Sequence, residues 1–397
     1  MLWRYMVGAV AARTGDEMSG PALLLLGLAV TASPAASAWL LAALTASSAL
    51  GGPVLGVLLD RSPRPGRILA CCLAGYAGAL VALLFLLGAT PVVVSLAVAG
   101  AAGLLGPALT GGWTAQLPTV TTAARLPGAN AYDAMSYNVA GLTGPALAGL
   151  LATVASPAVA LAAAALLIAG ALPTALTLPA VAEKRREGEN DAPAVTAGAA
   201  FRGIWGSPSL RGATVMSMVS IAGTAMLVVC APLIGQRLAG GAGFGALLLA
   251  FVAGGALLAN TVMARVTRLS PEAVLFWATS LIGAGMAVTA SAGTFWVAAA
   301  GAALVGAGEG PQLTALFAVR HREASARVRS LVFTTGASLK ITSFAAGSAV
   351  AGPLAVHSVP LALAAGAGAQ VVAALGYRVA RARWEATRAR VAQRVSQ

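Results

Sequence analysis

The chain has 397 residues, 58% of them apolar and only 9% charged, with 47 glycines and a mean hydropathy of +0.85. A water-soluble domain carries nearer ~25% charged residues, so the composition excludes one and points to a polytopic membrane protein. The formal charge of +13 does not indicate nucleic-acid binding, because Arg and Lys sit in short gaps between apolar blocks rather than along one groove.

Each crossing needs ~20 mostly apolar residues that satisfy their backbone hydrogen bonds internally. The apolar blocks predict an all-α membrane fold of twelve transmembrane helices in two six-helix halves. The first half, residues 1–178, places helices over 7–31, 38–59, 68–87, 92–114, 131–154 and 157–178. A polar connector covers 179–210. The second half, 211–377, places helices over 214–233, 244–263, 274–291, 295–319, 331–356 and 360–377, and a basic tail fills 378–397. Cys71, Cys72 and Cys230 fall inside spans without metal spacing and read as small apolar residues.

Loop charge sets the orientation. One side collects Arg4, Arg61, Arg64, Arg67, Arg125, Lys184, Arg185, Arg186, Arg202, Arg211, Arg265, Arg268, Arg320, Arg322, Arg327, Arg329 and the tail, while the other carries Arg237 alone. The positive-inside rule then makes both termini and the connector cytoplasmic. In the connector, 183–191 is a solvated charge run, and 194–210, with Phe201, Ile204 and Trp205 beside Arg202, reads as an interfacial amphipathic segment. The tail sets Arg378, Arg381, Arg383, Arg388, Arg390 and Arg394 against Glu385, a composition suited to anionic lipid headgroups.

The halves echo each other at an offset of roughly 203 residues. Gly51-Gly52 falls on Gly254-Gly255, Gly106-Pro107-Ala108-Leu109-Thr110 on Gly310-Pro311-Gln312-Leu313-Thr314, and the Gly144–Gly149 stretch on Gly347–Gly352. Duplicated six-helix halves are a transporter architecture, with the substrate site near the midplane.

Between the second and third spans stands Gly56-Val-Leu-Leu-Asp60-Arg61-Ser-Pro-Arg64-Pro-Gly66-Arg67. An acid at the cytoplasmic edge can meet the positive end of a neighbouring helix, pair with loop arginines, and release in another conformation. The arginines alone would serve to enforce topology. This stretch resembles the loop signature of the major facilitator superfamily, Gly-x-x-x-Asp-Arg followed by basic residues and Gly-Arg. The resemblance implies that Gly56, Asp60 and Arg61 form a conformational gate and that Arg67 fills the later basic position, with Pro63 and Pro65 altering the spacing. The second half has Met263 opposite Asp60, so the gate is asymmetric.

In the fifth span, Gly141-Leu-Thr-Gly144-Pro145-Ala-Leu-Ala-Gly149 is similar to the Gly-Pro motif of the family's drug/proton antiporters and favours export. Small residues permit close packing there, and proline bends a helix and frees a carbonyl. Many of these antiporters also carry an arginine in the fourth span, whereas residues 92–109 contain no basic residue.

Ionisable residues inside spans are costly and mark candidate sites. Arg13 lies one turn before Asp16 and Glu17, on the order of 15 Å deep, an arrangement open both to a transport role and to a plain ion pair. Asp133, with Asn130, Tyr137 and Asn138 nearby, Glu309 and Lys340 complete the intramembrane set. Asp16, Asp133 and Glu309 are the proton-carrier candidates, with Lys340 a counter-ion. Gln116, Trp113, Tyr137 and Asn138 are candidates to line a mixed pocket, although a lone Trp near a helix end reads first as an interfacial anchor.

The chain has no phosphate-loop motif and no paired histidines, so neither ATP, a cofactor nor a metal is expected. The leading reading is a proton-linked exporter of a small amphipathic or drug-like molecule. The alternatives are a symporter or facilitator importing a metabolite, and a non-transporting membrane sensor or enzyme. The expected partners are a small-molecule substrate, protons and the bilayer, and the chain is expected to act as a monomer. The excess of Arg over Lys, with abundant Ala and Gly, is associated with GC-rich bacteria, which places the protein in a bacterial inner membrane.

Overall fold

The computed structural model describes residues 1–180, 198, 204–241, 244–266 and 269–395. Among these the fold is all-α. In chain order the helices are α1 (Leu2–Thr31), α2 (Pro34–Ala46), α3 (Ser48–Arg61), α4 (Pro65–Leu86), α5 (Val92–Pro107), α6 (Leu117–Val120), α7 (Leu126–Val154), α8 (Pro157–Gly170) and α9 (Leu172–Leu176). They continue with α10 (Pro208–Ala239), α11 (Phe244–Met263), α12 (Pro271–Ala290), α13 (Phe295–Glu323), α14 (Arg329–His357) and α15 (Val359–Val395).

The dipeptide Ser-Pro starts several of these helices. Ser33, Ser156, Ser207 and Ser270 each accept a hydrogen bond from the backbone N–H three residues on, at 3.2, 3.3, 3.3 and 3.3 Å, and each is followed by proline at the first helical position. The serine oxygen satisfies one orphan amide, and proline has no amide to lose there. At the other end of α10, Gly240 adopts φ +76°, a left-handed cap that glycine takes without strain.

Three spans expected to be continuous are broken. The second is split at Ser47, whose hydroxyl bonds back to the Ala43 carbonyl at 2.8 Å. The fourth leaves α-geometry after Pro107 and continues as one π-turn, Ala108–Gly112, because proline removes a ladder donor. The sixth breaks at Ala171 before Pro173. Other helices outrun the sequence boundaries: α1 begins at Leu2, α7 at Leu126, α10 runs to Ala239, and α15 continues to Val395. The charge run at 183–191, with Lys184, Arg185 and Arg186, lies outside the described residues, as do Phe201, Arg202 and Arg268. The same holds for the side chains of Glu385, Arg388, Arg390 and Arg394. Of the amphipathic segment, Ile204 is buried and Trp205 half-buried.

Ten helical segments among the described residues are long and apolar enough to cross a membrane. α1 and α13 are as long but carry Arg13, Asp16 and Glu17, or Glu309, Arg320 and Arg322, which lower their apolarity. Large apolar side chains point outward, as a lipid-facing surface requires: Phe85, Leu166, Leu258 and Trp296 are all more than two-thirds exposed.

The chain forms two compact units. Unit 1 comprises residues 1–200 with 324–342, and unit 2 comprises 201–323 with 343–397. The start of α14, which the sequence assigns to the second half, therefore packs with unit 1. Tyr5, Leu23, Leu40, Leu59, Tyr76 and Trp113 lie in the core of unit 1. Leu227, Leu248, Ile282, Met286, Val305 and Leu363 lie in that of unit 2.

Candidate functional site

The centre of unit 1 is an ion pair shut away from solvent. Arg13 and Asp133 meet at 2.9 Å with their side chains 1% and 0% exposed. Arg13 Nη1 also donates to the Asp133 carbonyl at 3.1 Å and to Ser136 Oγ, and Nη2 donates to Thr114 Oγ1 at 2.8 Å. Asp133 accepts from Tyr5 OH at 2.9 Å and from Thr114 Oγ1 at 2.8 Å. The guanidinium lies 3.8 Å over the Tyr137 ring. Two buried charges are tolerable only with this degree of hydrogen bonding.

Local sequence explains the assembly. Tyr5, Ala9 and Arg13 fall at helical spacing on the buried face of α1. Gly8 admits the Trp113 ring, since a β-carbon there would come within 2.7 Å of it. Asp133, Ser136 and Tyr137 fall at i, i+3 and i+4 on α7. The π-turn after Pro107 delivers Trp113 and Thr114 to the same place. Trp113 is therefore not the interfacial anchor its position near a helix end suggests: it is 0% exposed and stacks near Tyr5, with ring centroids 6.0 Å apart.

Arg13 also corrects the expectation that it pairs along its own helix. Its guanidinium reaches across to α7, while Asp16, one turn on, takes a different partner. Tyr76 OH on α4 donates to Asp16 Oδ1 at 2.8 Å, and Ser19 Oγ lies 2.9 Å from the same hydroxyl. Asp16 is half-buried and Glu17 is exposed, and Glu17 interacts electrostatically with Lys340 on α14. Asn138 is half-buried, with its Nδ2 lacking a hydrogen-bond partner among the described residues. The two kinds of acid differ chemically. The charge of Asp133 is compensated by Arg13, whereas Asp16 is held by a tyrosine hydroxyl.

The packing motif of the fifth span behaves unevenly. A β-carbon on Gly144 would meet Glu17 Cβ at 2.7 Å and Met18 N at 2.9 Å, so this glycine seats α7 on α1. Gly141 and Gly149 have nothing within 4 Å of that position and provide no close packing, contrary to expectation. Pro145 sits inside an unbroken α7.

At the edge of unit 1, Asp60 closes α3 onto the start of α14. Its Oδ1 accepts from Ser330 N–H and its Oδ2 from Leu331 N–H, both at 2.8 Å. These are first-turn amides with no intrahelical acceptor, at the positive end of the helix. Gly56 and Gly52 allow the approach: β-carbons there would lie 2.4 Å from Leu331 Cα and 2.5 Å from the Thr334 carbonyl oxygen. Gln116 Nε2 adds a hydrogen bond to Ser330 Oγ at 3.3 Å. Arg61 and Arg67 are exposed.

Unit 2 buries a neutral centre. Gln312 Nε2 donates to Ser220 Oγ at 2.9 Å and to Thr279 Oγ1 at 2.6 Å. Ser220 Oγ donates to Gln370 Oε1 at 2.6 Å, and Gln370 Nε2 returns a bond to the Ser220 carbonyl at 2.8 Å. Glu309 is half-buried one turn before Gln312 on α13, between Gly308 and Gly310, which pack on the carbonyls of Ala278 and Ala256. Sequence reasoning missed Tyr5, Tyr76, Thr114, Gln312 and Gln370. The two glutamines carried a usable signal, a lone amide within an apolar span. Among the described residues no three His, Cys, Asp or Glu side chains gather as a metal set.

The model of the Major Facilitator Superfamily matches residues 5–352. The uncharacterized MFS-type transporter y4rN of Sinorhizobium fredii is 29% identical, over 90% of this chain and 89% of its own. Two solved structures share the fold at low identity. A bacterial homologue of the iron transporter ferroportin, in its outward-facing state, gives a TM-score of 0.74 at 16% identity, covering 96% of this chain and 99% of that one. The human organic anion transporter MFSD10 gives 0.73 at 13%, covering 95% and 98%.

Proposed function

Since the chain belongs to the major facilitator superfamily of membrane transporters, we propose that it exports a small amphipathic molecule in exchange for protons. The observation that carries this reading is the Asp16–Tyr76 contact beside the exposed Glu17. It is a carboxylate held by a hydroxyl next to an open acidic position. Protonation of Asp16 turns an acceptor into a donor and reorganises the contact with Tyr76 and Ser19. The Arg13–Asp133 pair is the fixed charge against which α1 and α7 are set, and Glu17 with Lys340 faces the substrate. The Gly-Pro stretch of α7 supports export over import, through the sequence resemblance.

In this reading twelve helices cross the bacterial inner membrane, α1 and α13 among them, with both termini cytoplasmic. The bonds from Asp60 to the start of α14 form a latch that holds one conformation and opens in the other, because the two amides and the helix dipole favour the carboxylate only when α3 and α14 are apposed.

The reading is tested by screening amphipathic compounds for uptake into inverted vesicles with an imposed pH gradient. Export by exchange predicts uptake that an uncoupler abolishes and that Asp16→Asn removes. Uptake unaffected by the gradient would exclude proton exchange.

A further inference from the structure

At the inner edge of unit 2, two adjoining recesses flank α15: one of about 280 Å³ against α10, α12 and α13, and one of about 320 Å³ against α12. They share Glu272, Tyr377 and Arg381. The larger is lined by Arg378, Arg381, Phe276 and Trp277, and the Arg378 guanidinium lies 5.2 Å above the Phe276 ring. The acids are engaged on the other side of the recess. Arg322 binds Glu272 and, at 3.1 Å, Glu323, and Ser207 donates to Glu323 at 2.9 Å. The outer recess carries Arg378 and Arg381 against Glu272, which attracts Arg381 as well as Arg322, so its lining charge is cationic in sum.

The level of the recess follows from helix length. α15 is 37 residues long, ~55 Å at 1.5 Å per residue against a ~30 Å hydrocarbon core. It passes the inner boundary about 20 residues after its start, near Arg378. Trp277, on the second turn of α12, is 68% exposed there, an amphipathic ring where headgroups meet acyl chains. Val371 and Leu375 lie on the same face of α15 as Arg378, at i−7 and i−3, and are 53% and 53% exposed. The face thus changes from basic to apolar along the direction a lipid would lie.

We propose that this recess binds an anionic phospholipid of the inner leaflet, with Arg378 and Arg381 on the headgroup phosphate, Trp277 beside the glycerol, and an acyl chain along Val371 and Leu375. A basic pocket between helices at the cytoplasmic edge has the chemistry for such a headgroup. The site is independent of the transported molecule and of proton exchange, so it stands or falls separately from them.

The test uses the full chain in detergent, titrated with phosphatidylglycerol and followed by native mass spectrometry. Arg378→Gln/Arg381→Gln is expected to weaken lipid retention about 30-fold, while Arg125→Gln, an exposed edge arginine of unit 1, leaves it unchanged. Retention unaltered in the double variant, an equal loss in Arg125→Gln, or displacement of the lipid by millimolar inorganic phosphate would each overturn the proposal. A second measurement does not depend on the arginine variants folding. Brominated phosphatidylglycerol should quench tryptophan emission more than brominated phosphatidylcholine, and Trp277→Phe should remove that difference. Equal quenching by both lipids would contradict the site.

Discussion

Unit 1 buries a guanidinium against a carboxylate, whereas unit 2 joins two amides to two hydroxyls. The neutral centre exchanges one set of ordinary hydrogen bonds for another and costs little to bury. The charged centre must overcome the desolvation of two ions, and an apolar replacement is often as stable. The charge pair of unit 1 is therefore the costlier of these two centres to bury. Asp16, Glu17, Lys340 and Asp60 lie in the same unit.

The largest expected effect comes from splitting the pair. Asp133→Asn or Arg13→Met leaves a lone buried ion or an imperfect partner and should cost roughly 3–5 kcal/mol in stability, while Arg13→Met/Asp133→Leu together should recover much of it. Thermal unfolding in detergent reads both, and a double-variant loss equal to the sum of the two single losses would show that the charges are not coupled. Next is the latch. Asp60→Ala removes two charge-assisted bonds at a half-buried position, worth roughly 1.5 kcal/mol each. It should raise labelling of a cysteine introduced at Ser330, and unchanged labelling would break the link between Asp60 and α14. Smaller again is the glycine contrast. Gly144→Ala should cost about 1–3 kcal/mol by pushing on Glu17 and Met18, while Gly141→Ala should be silent. Last comes unit 2, where no effect on transport is expected: Gln370→Leu should cost about 1–3 kcal/mol in stability and leave the pH dependence of transport as it was. A change in that dependence would erase the distinction between the two centres.

Much of this was legible in the sequence, for identifiable reasons. Apolar blocks report bilayer thickness directly, so the helical membrane fold could be read from them, and the family from the resemblance of the Gly56–Arg67 motif. Asp60 could be singled out by the motif it stands in, although its partners Ser330 and Leu331 lie far along the chain. The partner of Arg13 could not. Asp16 and Glu17 stand one turn away, while Asp133 is brought in only by the packing of α7 on α1. Trp113 was hidden by the π-turn, since a regular helix after Pro107 would present it differently. The breaks at Ser47 and Ala171 were also obscure, because an apolar run continues through both. The Ser-Pro starts, in contrast, were present as plain dipeptides and were passed over.

The most direct test of the proton claim is substrate-induced proton release from the purified protein, followed with a pH-sensitive dye in weakly buffered detergent. A compound identified by vesicle uptake should displace protons from the wild type and from Gln370→Leu, and none from Asp16→Asn. Equal release from Asp16→Asn and wild type would contradict the assignment of the exchangeable proton to Asp16.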